Sequence, residues 1–210
     1  MRSVGQIMRV LSMLSGSAVL LFMGLCLADD PPASPAKAIE KAEVLEQKAA
    51  DKDPPPKAEI ITKTEAQVVD PAGAKPVDEP LTCLARTIYW EAKGGTAADM
   101  DAVAHVVLNR VGHEGFPGTV CEVVKEGADK KVCQFSWWCD GRSDDVQEAN
   151  RYSIAKEIAR KALNQQSPDA THGAMYFHDR KVKPDWAGKY LKTAETNEFL
   201  FYKPREGKAK

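Results

Sequence analysis

The chain has 210 residues, with 29 Lys and Arg against 30 Asp and Glu and a formal charge of −1. A near-neutral chain of this length allows one folded domain with appendages and gives no ground for a nucleic-acid partner. The balance is uneven along the chain: residues 1–28 carry only Arg2 and Arg9, residues 29–80 carry twelve acids against seven lysines, and the remainder keeps a small basic excess, which suits a polyanionic polymer.

In residues 1–28, Arg2 and Arg9 precede an apolar run from Val10 to Leu25, and Cys26 and Ala28 stand at −3 and −1 if cleavage follows Ala28. This is the anatomy of a secretory signal peptide and predicts an exported protein of the periplasm or cell envelope. The run is short for a membrane span; left uncleaved, it would act as a membrane tether. Residues 29–80 hold nine of the thirteen prolines and neither aromatic residues nor cysteines. Such a segment buries too little apolar surface to offset its chain entropy, so it reads as a disordered linker. Ala36–Ala50 has helical composition but no partner in view.

From Leu81 all the tryptophans and tyrosines appear, and residues 81–205 read as one domain, with 206–210 a short tail. The first helix spans Leu81–Ala92. Leu84, Ile88 and Glu91 fall at i, i+4 and i+7 on one face, so two apolar positions look inward and the third aims a carboxyl at the interior or a cleft. A carboxylic acid among apolar neighbours keeps its proton to higher pH, as a general acid must. Spacing alone also fits a solvated glutamate paired with Lys93 or Arg86. Thr96 and Asp99 form a capping box for a second helix, Ala97–Val111, whose stripe is Met100, Ala104, Val107 and Val111. A short helix over Thr119–Lys125, an irregular aromatic segment Cys133–Gly141 and a helix from Ser143 to Leu163 follow. Gly173–His178 and Glu198–Tyr202 read as β-prone. The whole is α+β, mainly helical with a small β element.

Cys26 lies in the apolar leader, which leaves Cys83, Cys121, Cys133 and Cys139. They form no CxxC pair or zinc spacing, so two disulfides are the simplest reading for an exported domain, with three connectivities open.

Cys83–Ala92 (CLARTIYWEA), Ala102–Val111 (AVAHVVLNRV), Phe116-Pro117 with Val120, Gln134-Phe135-Ser136, and Gly173–Phe177 (GAMYF) with Phe201-Tyr202 occur in this order. Together they resemble the SleB-type cell wall hydrolases over most of residues 81–203. The resemblance implies a lysozyme-like single domain that cleaves the glycan strands of peptidoglycan as a lytic transglycosylase, with Glu91 as the catalytic acid. Two departures stand out: Lys93 where arginine is commoner, and TAETNEFLFY (Thr193–Tyr202) in place of a glycine-asparagine-histidine run.

A transglycosylase needs one carboxyl. It protonates the glycosidic oxygen, then takes the proton of the sugar's own C6 hydroxyl as a 1,6-anhydro ring closes. Asp140 is the candidate second carboxylate for a hydrolytic muramidase, or a turn residue before Gly141. Gln134 and Ser136 are candidate substrate contacts, Tyr176 offers a stacking face with a polar tip, and Trp137, Trp138 and Trp186 are candidate sugar platforms. Arg110 ends its helix and reads as a complement to the helix dipole. His172 and His178 lack helical i, i+4 ligand spacing, so neither metal nor other cofactor is expected. A monomer acting on peptidoglycan strands is the main expectation, and a non-catalytic wall-binding module of the same fold is the alternative.

Overall fold

The computed structural model describes residues 33–130 and 132–205. The expected signal peptide and the tail from 206 lie outside the described residues. Six α-helices precede a three-stranded antiparallel sheet: α1 (Pro35–Asp51), α2 (Lys63–Val68), α3 (Pro80–Ala92), α4 (Ala97–Arg110), α5 (Val120–Lys125), α6 (Ala149–Leu163), β1 (Tyr176–Asp179), β2 (Leu191–Glu195) and β3 (Phe199–Lys203). The strand order is β1-β3-β2, with Phe177 opposite Phe201 and Glu195 opposite Leu200. No helix among the described residues is long and apolar enough to cross a membrane.

α3 is the central helix and packs against α1, α4, α5 and α6. Leu81, Leu84, Ala85, Ile88 and Tyr89 have no exposed surface. Pro80 starts the helix and the Glu79 carboxylate caps it by accepting from Leu81 N and Thr82 N at 2.9 and 2.6 Å. The Cys83–Cys121 disulfide joins α3 to α5, and Cys133–Cys139 closes the loop that carries Gln134, Ser136 and Trp137. The expected capping box is present at α4. Asp99 accepts from Thr96 N at 2.7 Å and from Glu198 N at 3.0 Å, which ties the start of α4 to the β2–β3 turn.

Residues 33–80 correct the expectation of a disordered linker. Ala38, Ala42 and Leu45 of α1 lie in the core with Ile61, Ala66 and Val69. A low-aromatic segment folds because the domain supplies what it lacks. Asn164 Oδ1 accepts from Ile61 N and its Nδ2 donates to Ile61 O, at 3.0 and 2.8 Å. Arg160 and Lys156 donate to the carbonyls of Ile61 and Gln67. Lys41 and Glu65 form a buried ion pair at 2.8 Å. In return, Glu46 accepts from Val120 N at 2.8 Å and caps α5. Gly73, at φ +67°, lies so near Val146 that a Cβ there would come within 2.4 Å of its side chain.

Two smaller expectations also change. α6 begins at Ala149 instead of Ser143, because residues 143–148 spend their backbone groups on α3: the Tyr89 hydroxyl accepts from Gln147 N and Glu148 N at 3.2 and 3.1 Å, and Asp144 O accepts from Arg86 and Trp90. β2 was not expected as a strand, since LKTAE is polar, edge-located and largely exposed.

Two predictions follow from this packing. Burying Leu45 and Ile61 is worth roughly 2 kcal/mol each, so a chain beginning at Leu81 should show no cooperative thermal melt by circular dichroism, whereas one beginning at Ala33 should melt with the full-length protein. Burial alone would raise the Asp99 carboxyl; hydrogen bonds from Thr196, Thr96 and the Glu198 amide outweigh it and bring the pKa from 3.8 to about 2. A depressed folded pKa stabilises above pH 3.8 and loses that contribution as pH falls through 2. Asp99→Asn should therefore cost about 2 kcal/mol near pH 6, and the gap to the parent protein in urea melts should narrow below pH 4.

Candidate functional site

Glu91 sits in the last turn of α3, where the helix emerges from the core. Two open cavities meet at its side chain. The first, of about 680 Å³, is lined by Glu91, Arg110, Gln134, Tyr176, His178 and Trp186 among others. The second, of about 430 Å³, is lined by Glu91 with Trp90, Ser136, Trp137, Asp140 and Asp144 among others. Glu91 thus divides a cleft that extends to both sides.

Burial raises the Glu91 pKa from 4.5 to about 7, against the opposing pull of Arg110. No hydrogen bond or ion pair among the described residues holds the carboxylate form. The nearest cation of α3 itself, Arg86, is committed elsewhere: its Nε donates to Asp70 at 2.9 Å, and it also donates to the carbonyls of Asp144 and Lys75. Lys93 leaves the site too, pairing with Glu148 at 3.1 Å and lying over the Tyr89 and Trp90 rings. The bland pairings open to Glu91 are therefore both taken by other groups.

The first cavity has an aromatic wall. Tyr176 and Tyr190 have ring centroids 4.5 Å apart, Trp186 lies 5.8 Å from Tyr190, and His178 lies 5.5 Å from Trp186. His178 is fixed by Tyr202 Oη at 3.0 Å and by Asp179 O at 2.8 Å. Burial, then the adjacent Tyr190 hydroxyl, raises the Tyr176 phenol to about 12, so it stays a neutral donor. Gln134 reaches this cavity exposed, its own N–H donating to Glu126 O at 3.0 Å.

The structure brings Glu91, Gln134 and Tyr176 to one cavity and Ser136 and Trp137 to the other. Trp137 is only 6% exposed, which leaves little ring face for stacking, and its indole N–H is buried without a hydrogen-bond partner. Trp138 lines neither cavity and lies 4.9 Å beneath the Lys125 ammonium. Asp140 lines the second cavity and also accepts from Arg142 N at 2.9 Å, closing the turn at Gly141. Sequence reasoning missed Tyr190 and His178 as wall residues and gave Arg110 only a dipole role. The Trp186–Tyr190 spacing of four was a readable signal for Tyr190; nothing in sequence marked the other two.

A helical domain with an aromatic-walled cleft running to both sides of a buried acid has the form of an enzyme acting on an extended chain. The model of the cell wall hydrolase family matches residues 94–202, just over half of the sequence, and the protein belongs to that family. Glu91 lies three residues ahead of the matched segment. Solved structures similar to the chain include the catalytic domain of the Bacillus cereus SleB protein, at 26% identity over 59% of this chain and 89% of that one, TM-score 0.48. Another is the catalytic domain of the germination-specific lytic transglycosylase SleB from Bacillus anthracis, at 25% identity over 59% and 93%, TM-score 0.48. No curated protein matches.

A raised carboxyl pKa has a signed consequence for stability. The fold gains nothing from Glu91 ionisation: the neutral form is favoured below pH 4.5, and the ionisation penalty, at most ~3 kcal/mol, is complete once pH rises through 7. Glu91→Gln should melt with the parent protein at pH 4 and above it at pH 8, as thermal denaturation at the two pH values would report.

Proposed function

We propose that this cell wall hydrolase is an exported lytic transglycosylase that cuts the MurNAc–GlcNAc bond of peptidoglycan strands and leaves 1,6-anhydro-MurNAc ends. The observation that carries the reading is the Glu91 carboxyl, its pKa raised to about 7 by burial where it lines two cavities, so that much of it is still protonated at neutral pH. A strand laid through the cleft would place one sugar in each cavity and the bridging oxygen at Glu91. The aromatic wall offers ring faces to sugar C–H faces on one side; Gln134 and Ser136, one on each side, offer polar contacts. Glu91 gives its proton to the glycosidic oxygen as the C1–O bond breaks. The carboxylate then removes the C6 hydroxyl proton while O6 closes on C1, which restores the acid without a held water.

Asp140 in the second cavity supports a rival reading, a hydrolytic muramidase in which a second carboxylate activates water. Mass spectrometry of soluble fragments released from purified peptidoglycan separates the two. The transglycosylase gives anhydromuramyl ends, lost by at least ~100-fold in Glu91→Gln and kept in Asp140→Asn. Reducing ends that depend on Asp140 would establish the hydrolase. Binding without released fragments, by folded protein, would leave a wall-binding module.

Acting as an acid, Glu91 must be protonated, so turnover should fall as pH rises through about 7. A pH–rate profile that is flat from 6 to 9 would contradict this.

A further inference from the structure

Arg110 is the last residue of α4 and is only 3% exposed. Its Nε donates to Met175 O at 2.7 Å, and its guanidinium lies 5.2, 5.3 and 5.7 Å from the ring centroids of Phe135, Phe116 and Tyr176. One terminal nitrogen, Nη1, is buried with no hydrogen-bond partner. A guanidinium carries five donors, and leaving the two on Nη1 dry and unused costs free energy that a merely structural arginine would avoid. The same side chain lines the first cavity together with Glu91, yet no ion pair joins the two.

We propose that Arg110 is the positioning residue of this site: its buried guanidinium, with the N–H groups of Nη1 in reserve, receives the Glu91 carboxylate that forms when the acid gives up its proton, and holds it for the second proton transfer. The proposal rests on Glu91 as the single acid and base. Proton bookkeeping closes, since the proton that Glu91 gives to the glycosidic oxygen is replaced by the one it takes from the C6 hydroxyl. A neutral Glu91 has little need of the cation; the carboxylate does. An arginine held nearby but not paired therefore favours the intermediate state without discharging the resting acid. Burial holds the guanidinium pKa down to about 10, still well above any working pH, so Arg110 remains charged throughout.

The groups acting on the guanidinium charge are, largest first, Glu126 after α5, Tyr176 from β1 and Glu91 from α3. Around Glu91 itself, His178 and Asp179 line the first cavity, and Asp140, Arg142 and Asp144 line the second. Of these, Arg110 alone acts appreciably on the Glu91 charge. Removing it should push the acid to a higher pKa while slowing the step that needs the carboxylate.

The test is the pH dependence of kcat and KM on purified peptidoglycan for the full-length protein, Arg110→Gln and Arg110→Lys, with Glu91→Gln alongside. Arg110→Gln should lose about 100-fold in kcat with little change in KM, and its alkaline limb should move up by about half a pH unit or more. Arg110→Lys should hold the limb in place and recover part of kcat. A loss of activity in Arg110→Gln with an unmoved limb and a matching loss of melting temperature would reduce Arg110 to a structural role. If Arg110→Gln does not fold, full wild-type kcat in Arg110→Lys overturns the proposal, because a lysine cannot present the spare guanidinium N–H. An active Glu91→Gln would overturn the single-acid reading itself, whereas an inactive one beside a normal limb in Arg110→Gln would overturn only the role of Arg110.

Discussion

The burial of α3 is the constraint on which the rest of the structure depends. A thirteen-residue helix with four other helices packed around it carries only two charged side chains, Arg86 and Glu91. Their fates are opposite. Arg86, at 1% exposure, is neutralised by Asp70, whose other oxygen accepts from Ala74 N and Lys75 N, and Tyr152 completes the cluster with a 2.7 Å hydrogen bond to Asp70. A buried charge without such partners would cost several kcal/mol. Glu91 receives no comparable partner and responds by staying neutral. Asp70 thus makes a buried arginine tolerable, and Arg86 takes no part in setting the Glu91 charge.

The segment ahead of α3 serves the same end. The family match begins at Gly94, so α1, α2 and α3 all lie outside it, yet α3 carries Glu91 and α1 packs against α3. Glu46 of α1 caps α5, and the Cys83–Cys121 bond fixes α5 to α3. α5 in turn leads to Glu126, whose charge acts on Arg110. Cys133–Cys139 then holds Gln134 and Ser136 on either side of Glu91. A scaffold of this kind keeps a carboxyl half-buried and still reachable.

Legibility in the sequence followed the range of the interactions. Local devices could be read directly: the Thr96–Asp99 box, the inward stripe of Leu84 and Ile88 ending on Glu91, and the stripe Met100, Ala104, Val107 and Val111 along α4 and its C-cap. α1 carried the same i, i+4, i+7 signal at Ala38, Ala42 and Leu45, but proline content and missing aromatics outweighed it, because alanine-rich packing looks weak until its partner is known. The anchors that fold residues 33–80 are hydrogen bonds across about a hundred residues, such as Asn164 to Ile61, and no window of sequence contains both ends. The same holds for the cleft. Glu91, Gln134 and Tyr176 were named from residue type and a family likeness, whereas the place of Arg110, Tyr190 and His178 depends on how β1 and the Trp186–Tyr190 turn lie against α4. Trp138 illustrates the converse, an aromatic whose residue type suggested the site and whose packing put it under Lys125.

The central claim is that burial, only partly offset by Arg110, raises the Glu91 pKa to about 7, so that a large share of the carboxyl still holds its proton at neutral pH. The most direct measurement is a carbon-13 NMR titration of the Glu91 side-chain carboxyl in the folded protein, assigned by comparison with Glu91→Gln. A midpoint near 7, well separated from the other glutamates, is the result this account predicts. A midpoint near 4.5 would mean that the carboxyl is solvated or paired after all, and would remove the basis for Glu91 as the acid.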